Sequence, residues 1–153
     1  MHGVLFKYGP SAANVAFKSH PQHSRHLVLI GGLTDGLLFA PYCHQLSEAA
    51  GAAGWSLVQA QLTTSYQGYG VGSLDADAEE LHQLAACLGR DHGSRGWVLM
   101  GHSTGCQDGC RYAARHGRAG DQANNPNPLL GLIMQGPVSG DVWWLAAAAP
   151  RAP

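Results

Sequence analysis

An α/β architecture, with a mostly parallel sheet and crossover helices, is predicted here by three observations. From Leu27 onward, short apolar runs alternate with stretches of helical period, the pattern of strands joined by helices. Several of those runs are continuously apolar, as strands covered on both faces require. The chain of 153 residues is 45% hydrophobic and only 12% charged, which suits one heavily buried domain.

The elements follow in order. Val4–Tyr8 and Asn14–Lys18 alternate in polarity around Gly9-Pro10-Ser11 and read as a hairpin-like pair ahead of the main sheet. His26–Ile30 is the first buried strand, and Gly31–Gly36 a glycine-rich loop. Phe39, Tyr42, Cys43, Leu46, Ala50 and Ala53 then recur at helical spacing, predicting a helix over 39–53 with Pro41 in its first turn. Trp55–Leu62 is the next strand. Beyond a polar loop, Leu74, Ala78, Leu81, Ala85 and Leu88 step along one helix face. Ser73 is placed to cap this helix, with Asp75 and Asp77 in the first turn where the dipole favours anions. Trp97–Met100 is a strand of the buried parallel kind. Cys106, Cys110, Ala113 and Ala114 mark a helix ended by Gly117 and Gly120, and an Asn/Pro-rich loop over 121–128 leads to a strand over Leu129–Gln135. The expected domain covers 1–138. Residues 139–153, with two tryptophans and an alanine run, have neither period nor turn logic and are expected to form an unstructured tail.

Composition excludes several function classes. Net charge is −1 and the nine Lys and Arg residues are scattered, so no basic footprint for nucleic acid or an anionic membrane is present. No run approaches membrane-spanning length and the N-terminus lacks a signal-peptide pattern, so a cytoplasmic protein is expected. Cys43, Cys87, Cys106 and Cys110 lack metal or redox spacing and read as small core residues, with Cys106 and Cys110 on one buried face. His20, His23 and His26 fit no helical face and read as solvated loop histidines, so neither metal nor cofactor is expected. Gly68–Gly72 matches no phosphate-loop form and reads as a loop beside the substrate.

Chemistry concentrates at Gly101-His102-Ser103-Thr104-Gly105, a Gly-x-Ser-x-Gly sequence between a buried strand and a helix. That context is a nucleophile elbow, a tight turn that lifts a serine hydroxyl off the strand end while flanking glycines avoid Cβ clashes. The structural alternative is a glycine-rich turn whose serine caps the helix. In an elbow the N–H of Thr104 supplies one oxyanion donor, and the loop after the first central strand supplies the other, here Leu33. A base and an acid are harder to find. His116 is thirteen residues past Ser103, about 18 Å away by helical rise. His102 is adjacent but points the wrong way at the turn, and His44 and His82 lie on helices. Asp141 is the one carboxylate after the strand that follows the elbow, and is a candidate acid.

These residues carry a resemblance. Ile30-Gly31-Gly32-Leu33-Thr34-Asp35-Gly36-Leu37-Leu38 with Pro41-Tyr42, Trp55–Gln59, Ser65-Tyr66 with Gly68-Tyr69-Gly70, Gly72–Asp75 and Met100–Asp108 resemble a family of fungal and plant α/β-hydrolase-like proteins that includes a siderophore esterase. The resemblance runs to about Val138 and implies a partial α/β-hydrolase fold lacking its C-terminal strands. It also implies serine-dependent hydrolysis of a small-molecule ester, with Ser103 as nucleophile; the family's acid and base find no match. Two readings stay open: an impaired esterase, and a non-catalytic remnant that binds a partner. A phosphate-binding reading of the 31–36 loop lacks the lysine or acidic ribose ligand it needs. A sheet without those strands exposes an apolar edge, so self-association is expected.

Overall fold

A computed structural model describes residues 1–67, 72–117, 125 and 127–138. Among the described residues the elements alternate as expected: β1 (Gly3–Lys7), β2 (Val15–Ser19), β3 (His26–Ile30), α1 (Cys43–Ala52), β4 (Ser56–Gln61), α2 (Leu74–Asp91), β5 (Trp97–His102), α3 (Gly105–His116) and β6 (Leu129–Gln135). They form a six-stranded sheet in the order β1-β2-β4-β3-β5-β6. The β1–β2 and β2–β4 pairings are antiparallel, whereas β4–β3, β3–β5 and β5–β6 are parallel. The first two strands thus hang as a hairpin on the edge of a parallel core.

Both faces of that core are covered, which explains the unbroken apolar runs. Val28, Ile30, Val58, Ala60 and Leu99 turn to one face, where they meet Ala78, Leu81, Leu84, Ala85 and Leu88 of α2 and Tyr112 of α3. Leu29 and Leu57 turn to the other, against Cys43 and Ala50 of α1. Each of the fully buried leucines contributes about 1.5–3 kcal/mol by leaving water. The Trp97 ring meets Tyr112 edge-on with centroids 5.1 Å apart, fixing α3 over β5.

α2 begins as the sequence predicts: the Ser73 hydroxyl accepts the Ala76 N–H at 3.2 Å, and Asp75 and Asp77 occupy the first turn. α1 is shorter than the 39–53 read from periodicity. Leu38 takes a φ of 60°, which stops a helix from running in, and Tyr42 at the N-cap supplies no side-chain bond. Pro41 consequently lies in the approach, ahead of the first turn.

Two further expectations are corrected. His26 is no solvated loop residue: it opens β3 with no exposed surface, its Nδ1 sharing a 2.8 Å hydrogen bond with Ser94 Oγ. Burial, with the Lys18 charge nearby, lowers its pKa to about 3, so the ring is neutral. His20 and His23 are half-buried, with rings stacked at 6.1 Å. Cys106 is buried as predicted, but Cys110 is only partly so, because it lies toward Met134 of the edge strand β6. Among the described residues no helix is long and apolar enough to cross a membrane, and no cluster of His, Cys, Asp or Glu could hold a metal ion. Among the described residues β6 is the edge strand, and Leu130, Ile133 and Met134 on it are 52%, 45% and 49% exposed. The tail over 139–153, including Asp141, lies outside the described residues, as do residues 68–71 of the Gly68–Gly72 loop.

Candidate active site

Ser103 sits at the junction of β5 and α3 with a φ of 52°. A side-chain-bearing residue is held in this left-handed region only where its surroundings over-determine it, at about 1–3 kcal/mol. The constraints are visible. The Ser103 N–H donates to the Gln135 carbonyl at 3.0 Å, and the Ser103 carbonyl accepts the Cys106 N–H at 3.1 Å. The Cys106 thiol reaches the Gly101 carbonyl at 3.1 Å.

The flanking glycines act through space. A Cβ on Gly101 would strike the Gly105 carbonyl and come within 2.6 Å of Cys106 N. One on Gly105 would strike Gly31 O and come within 2.9 Å of Ile30 O. Their absence lets the start of α3 lie directly over the ends of β5 and β3.

The loop after β3 closes on the same point. A Cβ on Gly32 would stand 2.9 Å from Ser103 Cβ and 3.4 Å from its Oγ, so the Gly32 backbone faces the hydroxyl. Asp35 holds this loop: its Oδ2 accepts the Gly32 N–H at 2.8 Å and its own N–H donates to Gly32 O at 3.1 Å. Thr34, with φ 68°, presents its carbonyl to the Tyr66 N–H at 2.9 Å. Among the described residues, the N–H groups of Leu33 and Thr104 bond to no protein acceptor. Both residues line the same cavity, with Thr104 at the N-cap of α3.

Leu33, Thr104 and the 31–35 loop line a cavity of about 450 Å³ that runs under α2 to Asp77 and Asp108. Both residues are buried, each with 7% of its surface exposed. Burial and mutual repulsion raise the pKa of Asp108, and burial with the Glu80 charge raises that of Asp77. Sequence reading registered Asp77 only as a helix-dipole residue and Asp108 only as part of a matching string.

The histidines stand away from the serine. The His102 ring engages Gln135 Oε1, which also accepts the Tyr42 hydroxyl at 3.0 Å, and it packs against Phe39 with centroids 5.3 Å apart. Gln135 was missed in the sequence because nothing local marks the last residue of an apolar strand as a side-chain acceptor. His116 stacks on His82 at 4.4 Å at the far end of α3, and His44 is exposed on α1. Among the described residues, Ser103 Oγ has no hydrogen-bonding partner.

A parallel sheet flanked by helices, with a strained serine at a strand-to-helix turn, defines the α/β hydrolase class. Comparison with known proteins agrees. Residues 1–148 match a family described as "Protein of unknown function (DUF1749)", and the chain belongs to that family. It is 41% identical to a UPF0613 protein of Schizosaccharomyces pombe over 131 residues, 83% of this chain and 39% of the relative. Fusarinine C esterase sidJ of Aspergillus fumigatus is 35% identical over 154 residues, covering 90% of this chain and 44% of that protein. Among solved structures, the siderophore hydrolase EstB from Aspergillus fumigatus superposes with a TM-score of 0.70 at 34% identity, over 90% of this chain and 43% of that one. Two of these relatives are named for siderophore hydrolysis, and this chain, which spans under half the length of the relatives, carries part of the α/β-hydrolase fold.

Proposed function

We propose that the chain is the nucleophile-bearing part of a serine esterase. Ser103 attacks the carbonyl carbon of a small-molecule ester, and the N–H groups of Leu33 and Thr104 stabilise the oxyanion of the tetrahedral intermediate. Collapse expels the alcohol and leaves an acyl-serine that water hydrolyses. The observation that carries this reading is the φ of 52° at Ser103, held between two glycines where any Cβ would meet backbone. A helix-capping serine would need no such strain. The names of the relatives, an esterase and a siderophore hydrolase, support an ester as the substrate class.

The proton of Ser103 needs a base, and the described residues bring no imidazole to Oγ. One observation therefore favours the second reading, a non-catalytic domain that binds a partner: the nearest histidine in sequence, His102, is engaged by Gln135. Reaction with a fluorophosphonate probe separates the two. Folded chain that labels at Ser103, and not after Ser103→Ala, supports an activated nucleophile. Folded chain that remains unlabelled rejects turnover by this chain alone, and a second polypeptide or longer form would then have to supply the base.

A further inference from the structure

β6 ends at Gln135, where Gly136 takes a φ of 60° and turns the chain off the strand. Gln135 is the register partner of His102 in the parallel β5–β6 pair, so the two side chains leave the sheet on one face, beside the turn that carries Ser103. Main chain and side chain of this residue both engage the elbow. Its carbonyl accepts the Ser103 N–H at 3.0 Å, with the Cys106 thiol 3.7 Å away. Its amide Oε1 accepts the Tyr42 hydroxyl at 3.0 Å and engages His102 Nδ1.

An amide oxygen only accepts, which fixes the protons around it. Tyr42 must donate, and burial, aided by Cys43 and Asp35 nearby, raises its pKa so that the phenol keeps its proton. The His102 ring must carry a proton on Nδ1, which leaves Nε2 as the acceptor in the neutral ring. Phe39 closes the group, tilted over His102 with centroids 5.3 Å apart and edge-on to Tyr42 at 6.3 Å. One oxygen thus ties the approach to α1 and the end of β5 to the end of β6. A left-handed serine persists only where its neighbours prevent it from relaxing, and Gln135 holds both Ser103 and the residue before it.

We propose that Gln135 is a positioning residue of the nucleophile turn: its carbonyl holds Ser103 and its amide oxygen holds His102, so that the serine stays in the conformation that turns Oγ toward Gly32. It acts through the two residues it holds and touches no reacting atom. This inference deepens the esterase reading and rests on it for the reaction, while the fixed ring of His102 is testable without catalysis.

The test uses the full chain with two readouts. Nitrogen NMR of isotopically enriched histidine reads the ring protons of His102, and the rate of reaction with a fluorophosphonate reads Ser103. In the parent, His102 is expected to carry its proton on Nδ1. Gln135→Leu keeps the carbonyl and removes the amide acceptor, so the His102 proton should redistribute to Nε2 and the reaction should slow about tenfold, the order that one lost hydrogen bond gives. Gln135→Glu keeps an acceptor of the same reach and should restore the Nδ1 proton and a rate within about threefold of the parent. A side chain that only fills space would move neither the ring proton nor the rescue. A parent ring protonated on Nε2 alone, a Gln135→Leu protein reacting at the parent rate, or a slowed one that Gln135→Glu does not rescue overturns the assignment. If Gln135→Leu does not fold, Gln135→Asn, one methylene short of both donors, takes its place. If the folded parent does not react at all, the esterase reading fails for this chain and the turn is read from hydrogen exchange at the Ser103 amide. Exchange should then quicken about tenfold in Gln135→Leu and not in Gln135→Glu, and equal exchange in all three proteins overturns the positioning role.

Discussion

Replacing Gly105 by alanine is expected to destabilise the protein even though alanine is the better helix former. Gly105 is the first residue of α3, so the helix gains at most about 1 kcal/mol from the loss of glycine entropy. Against this, the new methyl would collide with Gly31 O and sit 2.9 Å from Ile30 O, both backbone atoms of the strand end that α3 rests on. Neither can rotate away, so α3 must lift from β3, and overpacking of this kind costs about 3 kcal/mol at the upper end of its usual range. The net loss is about 2 kcal/mol, which lowers Tm by about 4–8 °C in a domain of this size. Gly109 provides the control. Its added methyl would meet Leu132 Cδ1 at 2.7 Å and Leu99 Cδ2 at 3.4 Å, both tips of flexible side chains, so Gly109→Ala should stay within about 1 kcal/mol of the parent. Scanning calorimetry and urea unfolding measure both. A Gly105→Ala protein as stable as the parent, or a Gly109→Ala protein that loses as much, would refute the claim that α3 docks through backbone contact at Gly105.

Stability should fall as pH rises from about 6.5 to 8. The pKa of Asp108 is raised to about 8, so across this window the native state holds a proton the unfolded chain has released, with a slope of at most about 1.4 kcal/mol per pH unit; Asp77, raised to about 6, acts in the same sense but only below the window. Below pH 6.5 the buried His26, lowered to about 3, works in the opposite sense, because the unfolded chain binds the proton that the native ring refuses. Urea midpoints across pH 5–9 test this: Asp108→Asn should flatten the decline above 6.5, and an unchanged slope would show that this carboxyl does not carry it. At the sheet edge, Ile133 and Met134 are 45% and 49% exposed, and we expect them to mediate self-association through β6. Sedimentation velocity should show mass rising with concentration in the parent chain and not in Ile133→Lys or Met134→Lys; a parent that stays monomeric would remove this edge as a self-pairing surface.

Much of the frame was legible from local pattern. The bounds of β3 and β6 coincide with the apolar runs read from sequence, and Ser73, Leu81, Ala85 and Leu88 serve α2 as their spacing predicts. The 39–53 reading overshot because Phe39 and Tyr42 keep helical spacing in the sequence while Leu38 reverses the backbone sign just before them. His26 shares its three-residue interval with His20 and His23, yet strand β3 carries it inside.

What the sequence alone determined about this protein is what consecutive residues control: the alternation of strands and helices, and the glycine spacing that permits a turn at Ser103. Steric freedom and hydrophobic period are properties of neighbours in the chain, and both are readable without a fold. Only the tertiary structure decided that Gln135 takes up the ring of His102, that Gly32 faces Ser103, and that Asp77 meets Asp108. Each of those pairs is separated by 31 residues or more, and only the crossovers that order the strands β4-β3-β5-β6 bring their polar groups within reach.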